Sequence, residues 1–181
     1  MPNPVPYADR LKAYTEGKDP LAMQVDAPRI LADLVEGVPE QTLRRRPLPD
    51  KWSVGEIVVH LAEDEVASSW RYRQIIERNG CALSAFDQDE WARLGNYASW
   101  NPTDALHLFR LLREANLRMF SHLTADEWNR FGLHAERGKI SVRDLVRHMA
   151  GHDMNLLGSN PGHSGQEMML LNFSGSKGLC S

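Results

Sequence analysis

Residues 53–65 read Ser-Val-Gly-Glu-Ile-Val-Val-His-Leu-Ala-Glu-Asp-Glu, and residues 141–153 read Ser-Val-Arg-Asp-Leu-Val-Arg-His-Met-Ala-Gly-His-Asp. Set in register, Ser53 falls on Ser141, Glu56 on Asp144, His60 on His148, Ala62 on Ala150 and Asp64 on His152. Each copy opens with a serine followed three residues later by an acid, the pattern in which side chain and backbone cap each other at a helix start. Each then carries a histidine two turns into the helix. The second copy adds His152, and the spacing His148-x-x-x-His152 stacks two imidazoles on one helical face. Two helices that both bring histidine to the same depth can converge on one metal ion.

Outward from these segments the chain keeps a helical period, with almost no β-branched alternation. A first helix is predicted from Asp19-Pro20, a cap residue followed by proline at the first helical position, to Gly37, with an interruption at Pro28. A Pro-rich stretch, residues 38–52, leads to the second, which runs from Ser53 to Arg78 and stops at Asn79-Gly80. Its core face carries Ile57, Leu61, Ser68, Tyr72 and Ile75, with His60 and Asp64 on the margin. The third starts at Asn101-Pro102 and reaches Leu123, with Ala105, Phe109, Leu112, Met119 and Leu123 inward. The fourth spans Ser141 to Gly158. Residues 81–101 and 124–140 read as long connections. Four amphipathic helices without a strand signal predict an all-α four-helix bundle over residues 19–158, with the repeat as a pseudo-twofold. Residues 1–18 read as an N-terminal extension and residues 159–181 as an irregular, Gly- and Ser-rich tail.

A chain of 181 residues can bury a core without disulfides or a structural metal. The net charge of −3 gives no general pull toward nucleic acid or an anionic membrane. The one basic run, Arg44-Arg45-Arg46, sits beside Pro47 and Pro49 and reads as a solvated loop. No apolar run reaches transmembrane length. Cys81 and Cys180 form no disulfide framework and no Cys-x-x-Cys pair, as expected in a reducing cytoplasm. The expectation is a soluble cytoplasmic protein with neither nucleic acid nor membrane as partner.

The histidines carry the functional reading. A catalytic zinc site takes three protein ligands and leaves one position open. His148 and His152 supply two imidazoles from one face, and His60 supplies the third from the facing helix. Asp64, four residues after His60, can orient a histidine, act as general base or add a ligand. A His-x-x-x-His pair by itself is more often an ordinary helix surface, and His107, His122, His134 and His163 read as surface or loop residues. The matching His60 within a duplicated context is what favours a metal. Trp52, directly before the cap Ser53, reads as a packing staple. Arg71 is placed to pair with Asp64, and Asn116 to reach the cavity from the third helix.

Lys51-Trp52-Ser53-Val54-Gly55-Glu56-Ile57 through His60-Leu61-Ala62, the loop Asp87-Gln88-Asp89-Glu90-Trp91, and Met149-Ala150-Gly151-His152-Asp153 together resemble the DinB/YfiT-like superfamily over roughly residues 20–157. The resemblance implies a four-helix bundle, often a homodimer, holding a divalent ion (zinc, nickel or iron) on three histidines. It implies a metal-dependent hydrolase, or an S-transferase or isomerase that uses a low-molecular-weight thiol with a small-molecule substrate. His60 matches the family's first ligand and His152 the first histidine of its late pair. The partner of that pair falls on Leu156, a departure from the pattern, and the chain then turns into Gly158-Ser159-Asn160-Pro161 where the family's helix continues. Either His148 replaces the missing ligand from one turn earlier, or His60 and His152 stand alone. A non-catalytic dimerising scaffold with a degenerate site is the rival expectation.

Overall fold

The computed structural model describes residues 6–158; the tail expected from 159 onward lies outside the described residues. Helix α1 (Tyr7–Thr15) falls within the stretch set apart above as an extension. Asp19 accepts a hydrogen bond from the Leu21 amide and, with Pro20 in the first turn, starts α2 (Pro20–Val35). Pro28 lies inside α2, which runs through it unbroken. A single turn, α3 (Glu40–Leu43), precedes α4 (Val54–Glu77). Ser53 opens α4 with both halves of a capping box: the Ser53 hydroxyl accepts from the Glu56 amide at 3.2 Å, and the Glu56 carboxylate accepts from the Ser53 amide at 2.8 Å. After β1 (Cys81–Leu83) come α5 (Gln88–Leu94), capped by Asp87, and a 3-10 turn over Tyr97–Ser99. Asn101 caps α6 (Pro102–Phe120) and Thr124 caps α7 (Ala125–Asn129). Strands β2 (Phe131–His134) and β3 (Gly138–Ser141) then lead into α8 (Val142–Leu157), where Ser141 and Asp144 repeat the capping box of α4.

The four long helices pack around a shared core. Helix α2 lies against α6 and α8, and α4 lies against the same two, so helices consecutive in the chain, α2 and α4, sit across the core from each other. Leu31, Ile57, Leu61, Leu106 and Phe109 fill that core; burying each such side chain stabilises the fold by roughly 1.5–3 kcal/mol. Helices α4 and α8 run antiparallel. His60 meets His152, while Ser68, two turns further along α4, meets Met149, earlier on α8. Helix α1 is seated on α8 so closely that a Cβ at Gly151 would lie 2.5 Å from the Leu11 carbonyl oxygen. Glycine within a helix costs about 1 kcal/mol relative to alanine, and this close approach is what requires it.

The chain is mostly helical, yet the expectation of an all-α fold is corrected by a three-stranded sheet of order β1-β2-β3. Strand β1 pairs parallel to β2, Cys81 opposite Gly132, and β2 pairs antiparallel to β3. The strands come from the two stretches read as connections. Gly132 belongs to this pairing, because a Cβ there would lie 2.6 Å from the Leu83 side chain. Beneath the sheet, Tyr72, Ile75, Phe120, Leu145 and Val146 form a second apolar cluster. The inner face of α6 also differs from the expectation. Ala105 and Phe109 point inward, but Arg113, Asn116 and Phe120 are buried where Leu112, Met119 and Leu123 were predicted.

Candidate metal centre

His60 and Asp64 stand one turn apart on the face of α4 that meets α8, and His152 projects from α8 between them. All three are buried, 1, 4 and 3 % exposed respectively. One ligand atom from each lies within 4.8 Å of the others, and this is the one such His/Cys/Asp/Glu group among the described residues. The Nε2 atoms of His60 and His152 are 3.4 Å apart, with the ring planes inclined by 65°. Two nitrogens bound tetrahedrally to zinc at about 2.0–2.1 Å are separated by about 3.3–3.4 Å. Asp64 Oδ2 lies 3.5 Å from His152 Nδ1, and Asp153 Oδ1 lies 3.9 Å from the same nitrogen. His152 Nδ1 is buried and makes no hydrogen bond among the described residues, a condition that costs roughly 1–3 kcal/mol. Buried imidazoles with facing Nε2 atoms and a carboxylate behind one ring fit a divalent borderline metal.

Burial, reinforced by the nearby His152 ring, pushes the His60 imidazole well below its ordinary value. It is therefore the neutral, lone-pair-bearing form that a metal requires. Burial acts on His152 in the same direction, but the Asp64 and Asp153 carboxylates outweigh it, and the net shift is upward. Burial raises Asp64, with His152 and Arg71 opposing and Asp153 adding to the rise. Burial would raise Asp153 as well, yet Arg113 and His152 hold it below its usual range.

Arg113 extends the site into the bundle. Its guanidinium, fully buried, donates to both carboxylate oxygens of Glu65 at 3.0 and 2.8 Å and to the Gln24 carbonyl at 3.2 Å. It also forms an ion pair with Asp153 Oδ2 at 2.8 Å. Asn116 donates to Glu65 and to Ser69, each at 2.7 Å. One network thus joins α2, α4, α6 and α8 and ends at the neighbour of His152. Arg113, Glu65 and Asp153 were not among the expected site residues; for Arg113 the sequence signal is its spacing, with Asn116, from Ala105 and Phe109 along a single helical stripe.

Residues 25–158 match the sequence model of the DinB superfamily, well over half of the chain. The chain belongs to the DinB superfamily. A protein of Oceanobacillus iheyensis named "Putative metal-dependent hydrolase" is 25% identical over 128 residues, which are 70% of this chain and 73% of the relative. A second protein of that organism with the same name is 20% identical over 123 residues, 68% of this chain and 70% of its own. Among solved structures, Bacillus subtilis YfiT, described as "a probable metal-dependent hydrolase with an unusual four-helix bundle topology", superposes with a TM-score of 0.70 at 17% identity, covering 95% of this chain and 90% of its own. A mycothiol-dependent maleylpyruvate isomerase superposes with a TM-score of 0.57 at 16% identity, covering 93% of this chain and 68% of that one. At these identities the two structures show a shared fold.

On the DinB framework the expected residues divide. His60, Asp64 and His152 come together. His148 does not join them: it lines a separate cavity with residues of α1 and the β2–β3 turn. The antiparallel pairing explains why. Stepping back one turn from His152 moves about 6 Å along α8, toward the C-terminal half of α4 and away from His60. Leu156, one turn on, is 2 % exposed and packs in the main apolar core. Trp52 does more than staple α4: its ring lies 5.1 Å from the His60 ring and 5.8 Å from that of Tyr97. Arg71 donates to the Ser84 carbonyl at 2.6 Å and lies 5.3 Å from the centre of the Phe86 ring. Asn116 reaches Glu65 rather than a cavity. His134, read as an ordinary loop histidine, is buried on β2. No helix among the described residues is long and apolar enough to cross a membrane.

Proposed function

We propose that this DinB protein is a divalent-metal-dependent hydrolase of a small molecule, with His60 and His152 as metal ligands and Asp64 positioning His152. The observation that carries the reading is the 3.4 Å approach of two buried Nε2 atoms from separate helices. A divalent ion (zinc, nickel or iron) supplies Lewis acidity there. His60 is kept neutral by burial, so no proton has to be displaced from it. Asp64 stands 3.5 Å behind the His152 ring, where its charge favours a proton on Nδ1 and leaves Nε2 for the ion, and its carboxylate is at hand to take a proton. Trp52 and the apolar core exclude water from the His60 side. We read α4 and α8 as a pseudo-twofold pair within a four-helix bundle, a reading supported by the repeat-equivalent residues Asp64 and His152 facing each other. The cysteine usage supports a cytoplasmic location, and the family resemblance supports a homodimer.

The curated relatives' names support hydrolysis. The mycothiol-dependent structural neighbour supports a second reading, transfer to a low-molecular-weight thiol. Leu156, buried where the family resemblance places a third histidine, supports a third, a scaffold whose site has degenerated. Assay of the metal-loaded protein on an activated ester and an anilide, with and without added thiol, separates them. The hydrolase reading expects turnover without thiol that is lost on chelation and in His60→Ala. Turnover only with thiol establishes the transferase, and no metal-dependent turnover in either arm overturns both.

A further inference from the structure

His148 is left outside the metal centre, and its surroundings form a site of their own. Helix α1 is pinned to α8 at Gly151. Around Asp144–His148, nearer the start of α8, the two helices and the β2–β3 turn line an open cleft of about 350 Å³, within the range of about 300–1,000 Å³ typical of small-molecule pockets. Its lining contains none of the three metal-centre residues. Tyr7, Ala8 and Leu11 give it an apolar wall from α1, and Arg137, Arg147 and His148 face it from the turn and α8.

The charge of the lining is uneven. Lys12, Arg137 and Arg147 stand against Glu136 and Asp144. The Asp144 carboxylate is already engaged, accepting from the Ser141 amide at 3.1 Å and the Ser141 hydroxyl at 2.6 Å. His148 is held neutral by burial and by Arg137, His152, Arg71 and His134, bases without exception. Behind it, His134 Nε2 is buried with no hydrogen bond among the described residues. The first turns of α8 add the positive end of a helix dipole.

We propose that this cavity binds a small monocarboxylic acid with an apolar or aromatic body, its carboxylate held by Arg137, Arg147 and His148 and its body laid on Tyr7, Ala8 and Leu11. Guanidinium groups match the planar carboxylate in a two-pronged geometry. Three cations against two acids leave one net positive charge, which suits a monoanion better than a phosphate near its second ionisation. The apolar wall requires an organic body. The proposal stands whether or not the metal reading holds.

Benzoate is the probe, titrated into the full chain by amide NMR, once after chelation and once with metal bound. The expected result is saturable shifts at Ala8 and Arg147 in both states. Affinity should fall at least about tenfold in Arg147→Glu and in Arg137→Glu, as removal of a charge partner predicts, with circular dichroism and metal content unchanged. Inorganic phosphate should bind at least about tenfold more weakly, since it leaves the apolar wall unused. Shifts that never saturate, binding seen only with metal present, unchanged affinity in the charge reversals, or phosphate binding as tightly as benzoate would each overturn the proposal. Because metal content is read in parallel, failure here is distinct from failure of the metal centre.

Discussion

Two buried polar clusters meet at adjacent residues of α8, and they are built in opposite ways. Around Arg113, which is paired to Asp153, the guanidinium nitrogens are engaged by Glu65, Gln24 and Asp153. Around His152, one ring nitrogen faces another imidazole at 3.4 Å and the other makes no hydrogen bond, with carboxylates at 3.5 and 3.9 Å. Buried polar groups are retained in proteins when satisfied. In the first cluster each guanidinium nitrogen is paired, with Asp153 held by an ion pair rather than a hydrogen bond, and the cluster ties four helices together. The second brings two imidazole nitrogens face to face and leaves His152 Nδ1 without a hydrogen bond among the described residues, an arrangement that an incoming ion would complete. Structural and receptive polar clusters can therefore share a helix, distinguished by whether a cation of the chain itself already sits among the buried carboxylates.

Breaking the Arg113 cluster gives the largest expected effect. Arg113→Met leaves Glu65 and Asp153 buried without their cation, which costs roughly 3–5 kcal/mol; urea unfolding should show this loss with metal absent. Next is the link between the clusters and the ion. Asp64→Asn removes the charge behind His152 and should weaken metal binding roughly 10–100-fold, the usual effect of losing such a support. Competition with a calibrated chelator measures it. Unchanged affinity would detach Asp64 from the centre.

Much of this architecture is legible in local sequence. The boxes at Ser53–Glu56 and Ser141–Asp144, and the starts at Asp19-Pro20 and Asn101-Pro102, depend on contacts within three residues, so they can be read directly. The sheet cannot: Cys81–Leu83 is three residues long, and its partner Gly132 is brought to it across three helices, α5, α6 and α7. Nor can the burial of Arg113, whose partners come from three other helices. His60 and Asp64 were readable as neighbours on one face. The choice of His152 over His148 depends on the relative slide of α4 and α8, which packing decides.

Two smaller effects sharpen the contrast. Leu156→His offers an imidazole one turn beyond His152. Burying it costs about 1–3 kcal/mol without metal, and with metal present the affinity should rise about tenfold as a third imidazole is gained. Equal affinity would show that position 156 does not face the ion. The smallest effect concerns Glu56. Burial pushes its carboxyl up, but the Arg46 guanidinium and the Ser53 amide and hydroxyl outweigh that and lower it. A depressed carboxyl stabilises the fold above its unfolded value near 4.3, and that contribution is lost as pH falls through the folded one. With Arg46 exposed, it is worth less than about 1 kcal/mol. Glu56→Gln should flatten the stability profile below pH of about 5 and leave metal binding unchanged.

The most direct test of the centre is elemental analysis of the gently purified full chain beside His60→Ala and His152→Ala. The account predicts about one divalent ion per chain, the count for a single mononuclear site, and its loss from both variants while their circular dichroism stays that of the parent. A parent free of metal, or an ion that stays in either variant, would contradict it.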